Sequence, residues 1–303
     1  MSSQSRILAT TDLSAPARHA VERAFLLAES NCGEIHVLHA LELGALEACL
    51  EEMQLGWSIS VKATLIDDAR ERLKQLAGEL GKRQGLAASP HVVVGNPLSV
   101  IAAEADSLDA SLVVLGARGD SFLRRALLGS TAARLLRKST RRPVLVVKQP
   151  PRESYRNVLV AVDFSPVSIA AVRLAKQLAP KAQLTLLHAF ELPYEGKMRF
   201  AGVDDLLIRQ YLMKGTETRR KRLNDLLNAA GVGATDCSVR ILHGDPSQQI
   251  LLMEQEVDAD LIVIGKHGTH LAEEMLLGSV TKHVLADSQC DVLVICDPRE
   301  VVD

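Results

Sequence analysis

The stretch GARGDSFLRRALLGS, from Gly116 to Ser130, recurs as GKHGTHLAEEMLLGS from Gly265 to Ser279, so one glycine spacing, GxxGx9GS, occurs twice in the chain. Each copy follows an apolar run, Leu112 to Leu115 and Leu261 to Ile264, which places the glycines in a loop at a strand's C-terminal end. Working outward, Gly95 and Pro97 of VVVGNP match Gly244 and Pro246 of ILHGDP at the offset that takes Gly116 to Gly265, and His39 matches His188 in the same way. Near the start of each copy, Asp12 of ILATTDLSAP maps onto Asp163 of VLVAVDFSPV at a slightly longer offset. The repeat therefore predicts two homologous domains in tandem, 1–150 and 151–303.

The 303 residues are 47% hydrophobic, enough for two cores of a common domain size. The 35 basic and 37 acidic residues leave a formal charge of −2, without the positive footprint of a nucleic-acid binder, so no nucleic acid is expected as a partner. The segment MSSQSRILATTD lacks a signal peptide's apolar core, and no apolar run approaches the roughly 18 residues that cross a bilayer. A cytoplasmic protein with no membrane partner is the expectation. Cys32, Cys49, Cys237, Cys290 and Cys296 form no CxxC pair, and their odd number argues for free thiols. Cys290 and Cys296 flank one expected strand, too far apart along it to bridge each other.

Both copies alternate short β-branched runs with longer helical patterns, the signature of βαβ units and a parallel sheet. Strands are expected at Arg6–Thr10, Glu34–His39, His91–Val94, Leu112–Leu115 and Val144–Val147, and again at Asn157–Val162, Gln183–His188, Ser238–Leu242, Leu261–Ile264 and Val292–Ile295. Helical spacing is clear from Leu65 to Leu80, with an end at Gly81, and from Leu223 to Ala230, with an end at Gly231. Strands that are apolar almost throughout call for helices on both faces, a doubly wound α/β sandwich. The linker QPPRE, 149–153, is short enough to keep the domains neighbours. Less regular inserts are read at 41–62 and 190–215, holding Trp57, Tyr194 and Tyr211.

Gly116 and Gly119 allow tight turns and close approach of a ligand to the backbone. Gly129 and Ser130 open a helix whose unpaired N–H groups and dipole favour an anion, and Gly265, Gly268, Gly278 and Ser279 repeat the construction. Asp12 and Asp163 follow the first strand of each copy, at the sheet edge where ligands of open α/β folds bind. A carboxylate there can accept from a ribose hydroxyl or a base amino group, and it can equally serve its own turn. Ser14 and Ser165, with Pro16 and Pro166, read as helix caps. His39 and His188 read as core or rim histidines, and no structural zinc pattern is present in the sequence. GxxxxGK[ST] does not occur, and GVGATD from Gly231 lacks the third glycine of a dinucleotide fingerprint.

The strand-then-aspartate start, the LLHA-type second strand, the GxP after the third strand and GxxGx9GS together resemble the universal stress protein family over nearly the whole chain, with IGKHGTHLAEEMLLGSVTKHVL especially close. The resemblance implies two Rossmann-like domains, each a five-stranded parallel sheet of order 3-2-1-4-5, with an adenine nucleotide across its C-terminal edge. It places Val162 and Asp163 at the nucleoside, Ala189 beside the base, and Gly265, His267, Gly268, Gly278, Ser279, Val280 and Thr281 around the phosphates. The matching first-half set is Thr11, Asp12, Ala40, Gly116, Arg118, Gly119, Gly129, Ser130 and Thr131. ATP, with or without Mg²⁺, is the implied ligand, and a stress-responsive regulatory or partner-binding module the implied function. A slow ATPase or autophosphorylating enzyme, or a nucleotide-free scaffold, is the alternative. Arg124 and Arg125 become Glu273 and Glu274 in the second copy, and Arg118 becomes His267 with Lys266 as partial compensation, so the first site is expected to attract polyphosphate more strongly. Apolar fifth strands predict an intrachain pseudo-dimer and further homodimerisation.

Overall fold

The computed structural model describes residues 5–44, 47–48, 59–117, 129–137, 142–233, 235–268 and 277–296. The chain forms two compact units, Met1–Ser154 and Tyr155–Asp303. In the first, the elements are β1 (Arg6–Thr10), α1 (Ala15–Asn31), β2 (Glu34–Leu41), α2 (Ile59–Gln84), β3 (Ala88–Val94), α3 (Pro97–Ser107), β4 (Leu112–Gly116), α4 (Ser130–Arg137) and β5 (Val144–Val147). Within the unit the strands pair in parallel in the order β3-β2-β1-β4-β5. The second unit repeats the plan with β6 (Asn157–Ala161), α5 (Pro166–Leu178), β7 (Gln183–Phe190), α6 (Glu195–Phe200), α7 (Asp205–Ala230), β8 (Cys237–His243), α8 (Pro246–Glu256), β9 (Leu261–Gly265), α9 (Ser279–Asp287) and β10 (Asp291–Ile295). Its order is β8-β7-β6-β9-β10, again parallel. Each unit thus has the expected 3-2-1-4-5 sheet, with the order reversing beside its first strand.

Successive residues of the central strands are buried without alternation, Leu8 with Ala9 and Leu159 with Val160, because helices cover both faces. Each such leucine contributes about 1.5–3 kcal/mol by leaving water. Serine caps set the helices that leave the first strands. Ser14 accepts from the amide of Ala17 and Ser165 from that of Ser168, each with a proline in the first turn. Among the described residues Cys32, Cys237, Cys290 and Cys296 form no disulfide, and Cys49 lies outside the described residues.

In three places the observed limits depart from the expected ones by more than two residues. Helix α2 does not stop at Gly81 but runs to Gln84, and Gly85, at φ 67°, takes the left-handed terminating position. The Gly81 carbonyl accepts from the Leu86 amide at 3.0 Å, and a Cβ on Gly81 would sit 2.5 Å from the Leu86 carbonyl oxygen, so this glycine makes room for the returning chain. The insert at 190–215 is largely helical: α6 lies within it, and α7 starts at Asp205, its cap Asp204 accepting from the Leu206 amide. Leu206, Leu207, Tyr211 and Met213 are exposed on α7, which blurs the amphipathic stripe that marks a helix in sequence. Finally, β3 begins at Ala88 and carries Pro90, tolerated because β3 is the outer strand on that side of its unit's sheet.

Candidate functional site

In the second unit the site begins where β6 ends. The Val162 amide donates to the Leu187 carbonyl at 2.9 Å, and the Val162 carbonyl accepts from His188 Nδ1 at 2.8 Å. A carbonyl only accepts, so the proton of the imidazole sits on Nδ1. Burial pushes the His188 pKa below its ordinary value, and the ring is neutral at neutral pH. Phe164, at φ 65°, lays its ring 4.2 Å from that of His188, and the Phe190 ring lies nearly parallel to the imidazole with centres 6.3 Å apart. The guanidinium groups of Arg222 and Arg219 lie 4.2 and 3.9 Å from the Phe164 and Phe190 ring centres, so an aromatic and cationic stack ties α7 to the rim.

Asp163 stands at the centre of this rim. Its Oδ1 accepts from the Ser165 amide at 3.0 Å and from the Ser168 hydroxyl at 2.8 Å, while the Ser168 oxygen accepts from the Asp163 amide at 3.0 Å. The carboxylate is thereby held in one orientation, and Oδ2 is buried without a hydrogen-bond donor among the described residues. That oxygen faces Gly268, where a Cβ would lie 3.5 Å from it. A buried acceptor left unmatched costs about 1–3 kcal/mol, so the arrangement suits a donor brought by a ligand.

The described ends of the glycine loop, residues 265–268 and 277–278, meet at the same rim. After Gly265 ends β9, the Lys266 amide donates to the Ile295 carbonyl, and the Lys266 carbonyl accepts from the Gly278 amide at 2.9 Å. Gly278 is thus pressed onto the loop, and a Cβ there would lie 3.2 Å from the Lys266 carbonyl oxygen and 3.6 Å from His267 Cα. Close approach, rather than an unusual φ, is what the glycine provides, since its φ is −56°. Gly278 caps α9 with no side-chain acceptor, whereas α5, α7 and α8 are capped by Ser165, Asp204 and Asp245. The amides at the start of α9 are therefore available to an anion. Ser279 is exposed and Val280 half-buried in that first turn, and His267 is half-buried in the loop. Thr281 is buried and its hydroxyl donates to the Gly265 carbonyl at 2.7 Å, bracing the loop. Ala189 is half-buried on β7, paired with Leu242 of β8.

The first unit builds the same backbone with different side chains. The Thr11 amide donates to the Leu38 carbonyl, its hydroxyl accepts from the Leu13 amide at 3.0 Å, and its carbonyl accepts from His39 Nδ1 at 2.9 Å. Asp12 is exposed and its Oδ1 accepts from the Ser14 amide at 3.0 Å. Ala17 occupies the place of Ser168. Gly116 ends β4, the Gly129 amide donates to the Ala117 carbonyl at 2.8 Å, and α4 follows from Ser130, with Thr131 exposed. Ala40 is half-buried on β2, paired with Val93. Arg118, Gly119, Arg124, Arg125, Glu273 and Glu274 lie outside the described residues. Lys266, read from sequence as a compensating loop charge, is only 1% exposed, because it directly follows β9 and its backbone is tied to the end of β10. Sequence reasoning missed Ser168, and the repeat held a signal for it: in turns that share the aspartate and the capping serine, Ser168 stands where the first copy has Ala17.

Among the described residues, no helix is long and apolar enough to cross a membrane. The model of the Universal stress protein family matches residues 4–148 and again 154–295. Over 151 residues the chain is 32% identical to Universal stress protein A homolog 2 of Coxiella burnetii, covering 47% of this chain and 96% of that one. A universal stress protein of Mycobacterium tuberculosis is 28% identical over 192 residues, a match spanning 62% of the length of each. Among solved structures, a universal stress protein from Archaeoglobus fulgidus superposes with a TM-score of 0.69 at 24% identity, over 96% of this chain and 98% of that one, and so shares the fold. Two matches of one family model, laid end to end over two units of one plan, establish that the chain belongs to the universal stress protein family as a tandem two-domain member.

Proposed function

We propose that the chain binds an adenine nucleotide, ATP, at the C-terminal rim of its sheets, and that occupancy alters its shape or partner contacts in a stress response. The observation that carries this reading is the buried Oδ2 of Asp163, fixed by Ser168 and aimed at Gly268 beside the uncapped start of α9. A ribose hydroxyl would donate to that oxygen, and the phosphates would meet the amides of Ser279 and Val280. Nearby Val162 and Ala189 would face the nucleoside and base, with Gly265, His267, Gly268 and Gly278 shaping the loop around the phosphates. The corresponding first-unit site would use Asp12, Gly116, Gly129, Ser130 and Thr131, with Thr11 and Ala40 at the nucleoside. We further propose that the protein works in the cytoplasm as a homodimer of such chains, with any Mg²⁺ arriving on the phosphates.

The test is mass analysis of ligand extracted from freshly purified protein, followed by calorimetric titration of ATP into wild type and Asp163→Asn. Asparagine keeps the acceptor that Ser165 and Ser168 use and removes the second carboxylate oxygen. Adenine nucleotide in the extract and weakened binding by the folded variant support the reading. Unchanged ATP affinity in Asp163→Asn would sink it, and ADP release at stoichiometric protein distinguishes a slow ATPase from a binder.

A further inference from the structure

Away from the rim, in the first unit, two imidazoles face each other across β2 and β3. His36 Nδ1 lies 3.1 Å from His91 Nε2, with the ring centres 5.2 Å apart and the planes tilted by 47°. They sit on diagonal positions of neighbouring parallel strands, since His36 registers with Ser89 and Leu38 with His91. The other nitrogen of His91, Nδ1, is 3.8 Å from Oε2 of Glu104 on α3. Both His91 and Glu104 are partly open to solvent, at 29% and 23% side-chain exposure.

This arrangement is peculiar to the first unit. By the repeat offset, His36 corresponds to Thr185, His91 to Arg240, and Glu104 to Met253. There the Thr185 and Ser238 hydroxyls bond to each other at 2.9 Å, which satisfies the same spot of the sheet with small polar groups. The framework therefore does not require imidazoles, and the pair in the first unit adds a chemistry that the second lacks.

We propose that His36 and His91 bind a late first-row divalent cation, of which Zn²⁺ is the probe, with Glu104 orienting His91 from behind. Two nitrogens 3.1 Å apart, each about 2.0–2.1 Å from zinc, subtend roughly 95–102°, between the octahedral and tetrahedral angles. The metal takes the place of the proton that the two rings now share. Glu104 Oε2, 3.8 Å from the far nitrogen of His91, stands in ion-pair rather than hydrogen-bond range, and a small side-chain shift on metal binding would let it accept from that nitrogen, the carboxylate–histidine–metal relation that fixes the tautomer and raises ligand basicity. Among the described residues, no three His, Cys, Asp or Glu side chains converge on one point, so the site has two protein ligands and water completes the shell through the open side. Imidazole ligands select zinc, copper or nickel over Mg²⁺. Arg6 opposes a cation here, while Glu34 and Glu104 favour one.

The experiment is titration of ZnCl₂ into the full chain, with any purification tag removed, against a chromophoric zinc indicator. Wild type, His91→Asn, His36→Thr and Glu104→Gln are compared, with circular dichroism to establish folding. His36→Thr recreates the threonine–serine pair of the second unit with Ser89, so the sheet keeps its hydrogen bond. The expected result is one more zinc equivalent in wild type than in His91→Asn or His36→Thr, and a 10–100-fold weaker equivalent in Glu104→Gln. MgCl₂ gives no such difference. Equal stoichiometry and affinity in wild type and folded His36→Thr overturns the proposal, and unchanged affinity in Glu104→Gln overturns the role of the carboxylate. The site shares no residue with the nucleotide rim, so its failure leaves the nucleotide reading intact.

Discussion

Asp163 and Asp12 occupy the same turn in the two repeats, yet Asp163 has its carboxylate gripped by the Ser168 hydroxyl, in whose place the first repeat has Ala17. Ser168 and Ala17 are equally buried, at 4% exposure, so the difference is one oxygen atom in one well-packed place. With that oxygen the carboxylate is fixed: Oδ1 accepts two hydrogen bonds and Oδ2 is buried. Without it, Asp12 serves the Ser14 amide at the surface. The duplicated backbone is thus held by the strands, and the capacity of each rim is decided by side chains that the strands do not constrain.

If the two frames are equivalent, the largest effects are matched. Leu8→Ala and Leu159→Ala, both in fully buried central strands, each cost about 2–5 kcal/mol in denaturant unfolding, and a large inequality would break the comparison. At the rims the effects are expected to separate. Asp163→Asn lowers ATP affinity tenfold or more, in line with about 1.5–3 kcal/mol for a hydrogen bond to a charged group, while Asp12→Asn lowers it less. Calorimetry showing the reverse order would favour the charge difference in the loops, Arg124 and Arg125 against Glu273 and Glu274, as the deciding factor.

Smaller changes sharpen the same contrast. Ser168→Ala, which copies the first unit, costs about 1 kcal/mol in stability and loosens Asp163, and Thr281→Val, which removes the bond to Gly265, costs a similar amount. Smallest is a pH effect. Folding lowers the His188 pKa, so below about 6.5 the unfolded chain binds more protons. Stability from this residue is fully present above that pH and declines on acidification, and His188→Gln flattens the decline in pH-dependent melting curves.

Much of this was legible in the residues themselves. Runs such as Leu112–Leu115 and Leu261–Ile264, broken by glycine and followed by helical spacing, encode strand, loop and helix locally, and the repeat doubles each signal. Resemblance carried the strand order. What stayed hidden depends on contacts between distant residues. Gly81 looks like a helix end but is needed for the approach of Leu86, and α7 was obscured because its exposed face carries leucine, tyrosine and methionine. Lys266 reads as a surface charge until its position after a buried strand is known. Ser168 reads as one more polar residue near a cap, and only the hydrogen-bond geometry shows it gripping Asp163.

Pro90 has a consequence of its own. An outermost strand is a template on which a stray chain can assemble, and a residue without an N–H interrupts the ladder such a chain would need. In the second unit the matching outer strand, β8, has no proline and carries Arg240 instead, so this pair of equivalent strands is guarded by different means, one steric and one electrostatic. Salt screens the second guard and leaves the first untouched, so fibril seeding at high ionic strength would start from the C-terminal half.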